Sequence, residues 1–148
     1  MTTIRPAHPG DAALLSELAR AAYMHYVERM GTEPAPMRQD YAALVNAGQV
    51  WVAEHDGAVV GLLVLVLEPD HLLLDNVAVS PTAQGTGIGA QLLNFAEARA
   101  REHGRAEVRL YTNEAMTENI AYYRRHGFVE THRATDHGYR RVYFAKHL

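Results

Sequence analysis

The sequence predicts a single α/β domain built on a mixed sheet, antiparallel in its first half and parallel where one helix crosses over, and three observations carry the prediction. The middle of the chain, Val50 to Val79, is rich in β-branched and apolar residues and is cut by "DG" at Asp56 and Gly57 and by "EPD" from Glu68 to Asp70. Turns that short join antiparallel neighbours. The segments on either side carry apolar residues at helical spacing. Between strand and helix lies "AQGTGIGAQLLN", Ala83 to Asn94, the strand-to-helix passage that a parallel crossover needs.

The elements follow in order. "TTIRPA" reads as a first strand, and "HPGDAALLSELARAAYMHYVERMG" as a helix entered at Pro9, Gly10 and Asp11 and stopped at Gly31. Leu14, Leu18, Ala21 and Ala22 recur on one face of it. "TEPAP" breaks the chain, and a second helix follows on which Met37, Tyr41, Leu44 and Val45 share a face. "VWVAEH", "AVVGLLVLVLE" and "HLLLDNVAV" form the meander. The last of these is apolar on both alternating faces, so it is expected to be central and covered on both sides. Ile88, Leu92, Phe95, Ala96 and Ala100 mark the next helix, "AEVRLYT" a strand, and Glu114 to His126 a helix with Met116, Ile120 and Tyr123 on one face. "GFVETH" and "YRRVYFAKHL" close the sheet around the turn "DHG". With 148 residues, no repeat and no linker, residues 1–148 form one domain.

Composition narrows the function. A formal net charge of -3 lacks the basic excess of a nucleic-acid binder. The chain has no cysteine, which removes disulfides, thiolate metal sites and thiol catalysis together. Its histidines show no metal-ligand spacing, so no metal is expected. Neither a signal-peptide core nor an apolar run of ~18 residues is present. The expectation is a soluble, unprocessed, cytoplasmic chain with no membrane partner.

The glycine stretch is the strongest functional signal. Backbone N–H groups at a helix N-terminus have no intrahelical partner, and glycines let the chain approach a phosphate closely. One glycine suffices for a plain turn; here there are three. A nucleotide P-loop would end in Gly-Lys-Ser/Thr, whereas Gly89 is followed by Ala90 and Gln91. The dinucleotide pattern G-x-G-x-x-G/A matches Gly85, Gly87 and Ala90, but after an antiparallel meander and past mid-chain, where a doubly wound sheet does not fit. Q/R-x-x-G-x-G/A matches Gln84, Gly87 and Gly89.

With that third pattern, with "NVAVSPTAQGTGIGAQLLNFAEARA", and with "ENIAYYRRHGF" ending in Y-x-x-x-G-F, the chain resembles the GNAT superfamily of acyl-CoA-dependent N-acyltransferases over essentially its whole length. The resemblance implies a GNAT-like fold, with helices on both faces of a central mixed sheet, and acetyl-CoA as cosubstrate. It also implies an amine acceptor and, as is common in the family, a homodimer. It places the main chain of Val77, Ala78 and Val79, on a bulged strand, beside the pantetheine arm. Gln84, Gly85, Thr86, Gly87, Ile88, Gly89 and Ala90 are placed around the pyrophosphate. Thr86 stands where many relatives have a basic residue. Tyr123 takes the position of the tyrosine that protonates the departing thiolate, although it would equally serve as a core aromatic.

The family often has an asparagine seven residues before that tyrosine, where this chain has Met116. Asn119 is the candidate for its place, and Asn113 is read as a helix cap. For the base, Asp75 and water-mediated deprotonation both stand. Tyr23, Tyr26, Glu28, Glu33 and Asp40, on and between the first two helices, would suit a cationic amine. Near the C-terminus, Arg124, Arg125, Arg133, Arg140, Arg141 and Lys146 form a mildly basic cluster, available to an anionic cofactor or carried on a wet strand face. The function expected is acetyl transfer from acetyl-CoA directly to a primary amine of a small molecule or protein. A non-catalytic acyl-CoA sensor on the same fold is the alternative.

Overall fold

The computed structural model describes residues 1–148. Its strands are β1 (Thr2–Pro6), β2 (Val50–His55), β3 (Ala58–Leu67), β4 (Leu72–Val79), β5 (Glu107–Asn113), β6 (Val129–Asp136) and β7 (Tyr139–His147). The helices are α1 (Ala12–Tyr23), α2 (His25–Met30), α3 (Tyr41–Asn46), α4 (Ile88–Glu102) and α5 (Thr117–Arg125). All strands lie in one sheet in the order β1-β2-β3-β4-β5-β7-β6. Only β4 and β5 pair in parallel, so the crossover through α4 falls where the glycines predicted it. β4 is the middle strand, covered on one side by α1 and on the other by α4. No helix is long and apolar enough to cross a membrane.

Two expected helices differ. The first is broken at Met24 into α1 and α2. Tyr23 reaches inward to β4 while Tyr26, also buried, reaches sideways to Glu118 of α5. The second is only a short helix, α3, and Met37 lies before it in a 3₁₀ turn, Ala35–Arg38. Pro34 and Pro36 restrict the residues that precede them. Gln39 is extended, and Asp40 starts the helix by accepting a hydrogen bond from the Ala43 amide at 3.1 Å. Likewise α5 begins at Thr117, with Met116 in its N-cap position.

One irregularity in β4 shapes everything around it. Val64 of β3 pairs with Asn76, but Leu65 pairs with Leu74, so Asp75 is an extra residue in a β-bulge. Side chains alternate faces along a strand, and one extra residue inverts the alternation. Leu72 and Leu74 pack into the core under α4, whereas Asn76 and Ala78 turn toward α1 and α3. Val77 and Val79 then fall on the α4 side. Pairing with β5 covers only Leu72 to Leu74. Past the bulge the two strands separate and leave a gap in the middle of the sheet.

Candidate active site

Strand separation exposes backbone. The Ser80 N–H donates to Val60 O at 2.8 Å, so Ser80 faces β3. By alternation Ala78 faces β3 as well, while the main-chain groups of Val77 and Val79 face the gap. Both of those carbonyls are taken by side chains instead of a strand: Val77 O accepts from the Tyr23 hydroxyl at 2.8 Å and Val79 O from Gln84 Nε2 at 3.2 Å. Of the three residues assigned to the pantetheine arm, Val77 and Val79 thus present backbone to the gap; Ala78 lines the cleft there but directs its backbone into the sheet.

The glycine stretch is a row of free donors. Gly85 and Gly87 have φ of +81° and +87°, left-handed conformations that favour glycine. They turn the chain so that α4 starts immediately after Gly87, and the first helical amide bond is from Gln91 to Gly87 O at 3.1 Å. No main-chain N–H from Gln84 through Ala90 has an acceptor in the protein. An anion at the α4 N-terminus would satisfy them and meet the positive end of the helix dipole.

The side chains of this stretch hold its shape. Thr86 Oγ1 donates back to Ala83 O, Ile88 is buried in the core, and Gln84 ties the loop to β4. Gly89 has no side chain where one would meet the Tyr122 hydroxyl at 2.9 Å. Tyr122 packs on the loop and lines this cleft with His25 and His126.

The cleft has a volume of about 530 Å³ and runs from the loop along β4. On the far side of the gap lies a second pocket of about 50 Å³, walled by β4, β5, β7 and the α2–α3 connection. Tyr23, Val77, Asn119 and Tyr123 line both and mark where they meet. Tyr123 is 7% exposed, and its hydroxyl makes no hydrogen bond within the protein. Burial raises its pKa above the ordinary tyrosine value, so it keeps its proton at neutral pH. Asn119 Nδ2 reaches only Met116 Sδ, at 3.5 Å. Asn113 caps no helix directly; its Oδ1 accepts from the Ala115 amide at 2.9 Å and steadies the turn into α5.

Asp75, the bulge residue, lines the smaller pocket and accepts the Tyr111 hydroxyl at 2.7 Å on Oδ1. Behind it stands a buried polar chain. Tyr23 donates to Asn76 Oδ1 at 2.9 Å, Asn76 Nδ2 to the Tyr41 oxygen at 3.0 Å, and Tyr41 to Pro36 O at 2.6 Å. This chain fixes α1, β4 and the α2–α3 connection around the gap. Asn76→Ala is expected to lower unfolding free energy by about 1–3 kcal/mol, through a buried tyrosine left short of its donor. Urea denaturation with an unchanged m-value checks it.

The acidic residues expected to attract a cationic amine do other work: Glu33 offers its main-chain carbonyl to the Tyr139 hydroxyl at 2.8 Å, Asp40 caps α3, and Glu28 lies outside both pockets. The C-terminal basic residues also scatter. Lys146 pairs with Glu97 at 3.2 Å and Arg124 with Glu130 at 3.0 Å, and Arg125 lies over Tyr122. Arg141 turns into the smaller pocket, away from the cofactor cleft. Arg141, Tyr111 and Tyr139 are site residues that helical and loop motifs could not reveal. Their only trace in the sequence is alternation along two strands.

At the cleft mouth Glu118 of α5 accepts from the Tyr26 hydroxyl at 2.9 Å and from Arg29 at 2.9 Å, clasping α2 to α5. Those bonds, the tyrosine's first, hold its pKa down to about 2. A carboxyl depressed by folding contributes stability above its unfolded value near 4.5 and loses it as pH falls toward 2. Glu118→Gln is therefore expected to lessen the loss of stability between about pH 4.5 and 2, read as Tm against pH.

A row of unpaired backbone donors leading into a split sheet suits a coenzyme A-dependent acyltransferase. The chain belongs to the acetyltransferase (GNAT) family, whose model matches residues 13–128. Among solved structures it is similar to the PaiA N-acetyltransferase from Thermoplasma acidophilum in complex with coenzyme A, at 20% identity and a TM-score of 0.85, over 100% of this chain and 99% of that one. Ard1 from Thermoplasma volcanium is 20% identical, with a TM-score of 0.81 over 99% and 97% of the two chains. A GNAT family acetyltransferase from Elizabethkingia anophelis with acetyl-CoA bound is 19% identical, with a TM-score of 0.71 over 99% and 98%. No curated protein matches the sequence. Acetyl-CoA is the cosubstrate, and the unpaired N–H row from Gln84 to Ala90 fits its pyrophosphate.

Proposed function

We propose that this enzyme transfers the acetyl group of acetyl-CoA directly to a primary amine held in the smaller pocket, with both substrates bound at once. The observation that carries the reading is the meeting of the two cavities at Tyr23, Val77, Asn119 and Tyr123. No cysteine is present to carry the acetyl group between them. The Gln84 to Ala90 amides hold the pyrophosphate. Val77 offers its main-chain N–H toward the thioester oxygen, where negative charge grows as the amine adds.

The protons balance as follows. The acceptor ammonium gives one proton to Asp75, directly or through water, and the freed lone pair forms the C–N bond as the C–S bond breaks. Tyr123 gives its hydroxyl proton to the departing sulfur. It is replenished by the second proton from nitrogen, so Asp75 releases one net proton to solvent. Burial that raises Tyr123 also makes an emerging thiolate more basic, so donor and acceptor stay matched. Thiol release from acetyl-CoA over a broad amine panel tests the reading. Tight coenzyme A binding with no turnover of any amine would establish the sensor instead.

A further inference from the structure

We infer that the acceptor is a short zwitterion, a small α-amino acid, whose carboxylate is bound by Arg141 while its ammonium lies on Asp75; the inference rests on the proposed acetyl transfer at this site. Arg141 keeps only 10% of its side-chain surface exposed, and Nη1 donates to Asp136 Oδ2 at 2.8 Å. Its Nε and Nη2 make no bond within the protein. Every side-chain nitrogen or oxygen that is closed to solvent has a partner, so these N–H groups are not sealed off, and Arg141 lines the smaller pocket.

A buried guanidinium with free donors is unusual and costly unless an anion completes it. Asp136 cannot do so alone, since His137 Nδ1 also lies 3.0 Å from its other oxygen. The neighbouring ring supplies the scale. Arg141 Cζ sits 4.1 Å from the Tyr111 ring centroid, and the hydroxyl of that same ring binds Asp75 Oδ1. Asp75 Oδ2 makes no bond within the protein. Cation and carboxylate thus stand one tyrosine ring apart, each with unused capacity.

Size agrees with this. About 50 Å³ admits a few water-sized groups, enough for an amino-carboxylate with a small side chain. The Tyr139–Glu33 bond ties the α2–α3 connection across to β7, and both line this small pocket. A polyamine would also bring a second positive charge toward Arg141.

The test compares the twenty amino acids, their carboxamides, spermidine and an alanyl tripeptide by thiol release, with alanine and alaninamide as the reference pair. The expected result is a kcat/KM at least ~10-fold higher for alanine than for alaninamide, the worth of a charge-assisted hydrogen bond. In Arg141→Gln the alanine-to-alaninamide ratio should fall at least ~10-fold, mainly through KM, with part of it restored in Arg141→Lys. A ratio near one in the wild type overturns the inference whatever the variants do, and so does preference for spermidine or the tripeptide. Turnover of those amines would leave the transferase reading intact. Conversely, alanine raising the Tm of the coenzyme A complex where alaninamide does not, without any turnover, would keep the zwitterion site and remove the transfer.

Discussion

Tyr123→Phe is expected to lower kcat for acetyl transfer by roughly 10²-fold or more, the usual contribution of a positioned proton donor. Because the Tyr123 hydroxyl has no partner within the protein, its removal leaves no buried group unsatisfied. The ring keeps its contacts with Phe128 and Phe144, at centroid distances of 5.9 and 6.1 Å. Stability and coenzyme A affinity should therefore change little. Stopped thiol-release kinetics beside calorimetric titration of coenzyme A separates the two effects. Equal rates in the two proteins would return Tyr123 to the core as a packing residue.

Gly87→Val is expected to raise the coenzyme A Kd by roughly 10–100-fold, the loss of about one or two charge-assisted hydrogen bonds. Gly87 has φ +87° and stands immediately before α4. Its surroundings are open, so the obstacle is the backbone and not a clash. A β-branched residue is a severe outlier there, and relief of the strain rotates the peptides on either side. Those peptides carry the N–H donors of Gly87 and Ile88. The Tm increase that coenzyme A gives the wild type should shrink in the variant, and an undiminished increase would show that the loop does not carry the cofactor.

Much of the architecture was legible because it depends on local chemistry. The "DG" and "DHG" turns, the apolar meander and the glycine crossover each act within a few residues, and each lies where the pattern put it. Boundaries failed where tertiary contacts decide them. Nothing in "AAYMHY" announces that Tyr23 and Tyr26, on either side of the break at Met24, have different partners.

The two halves of the candidate site differ in the same way. The proposed cofactor loop is one continuous segment, so its residues could be read together. The smaller pocket assembles Asp75, Tyr111, Tyr139 and Arg141 from three strands. In sequence, Arg141 sits in "YRRVYF", where alternating charge looks like a solvent-facing strand. The α2–α3 connection, tied to β7 through Tyr139 and Glu33 and lining the same pocket, gives it a different meaning.

The Asp75 bulge ties shape to chemistry through chain length. Replacing Asp75 by asparagine keeps the extra residue, so the gap should persist while the carboxylate disappears. Deleting it makes the ladder with β3 continuous, with Asn76 directly after Leu74 and both keeping their present faces. It also gives β5 a strand it can pair along its whole edge. Substitutions at this position can thus retune what the enzyme accepts, but a single-codon deletion would close the molecule, so insertions and deletions in β4 face a far harsher filter than replacements.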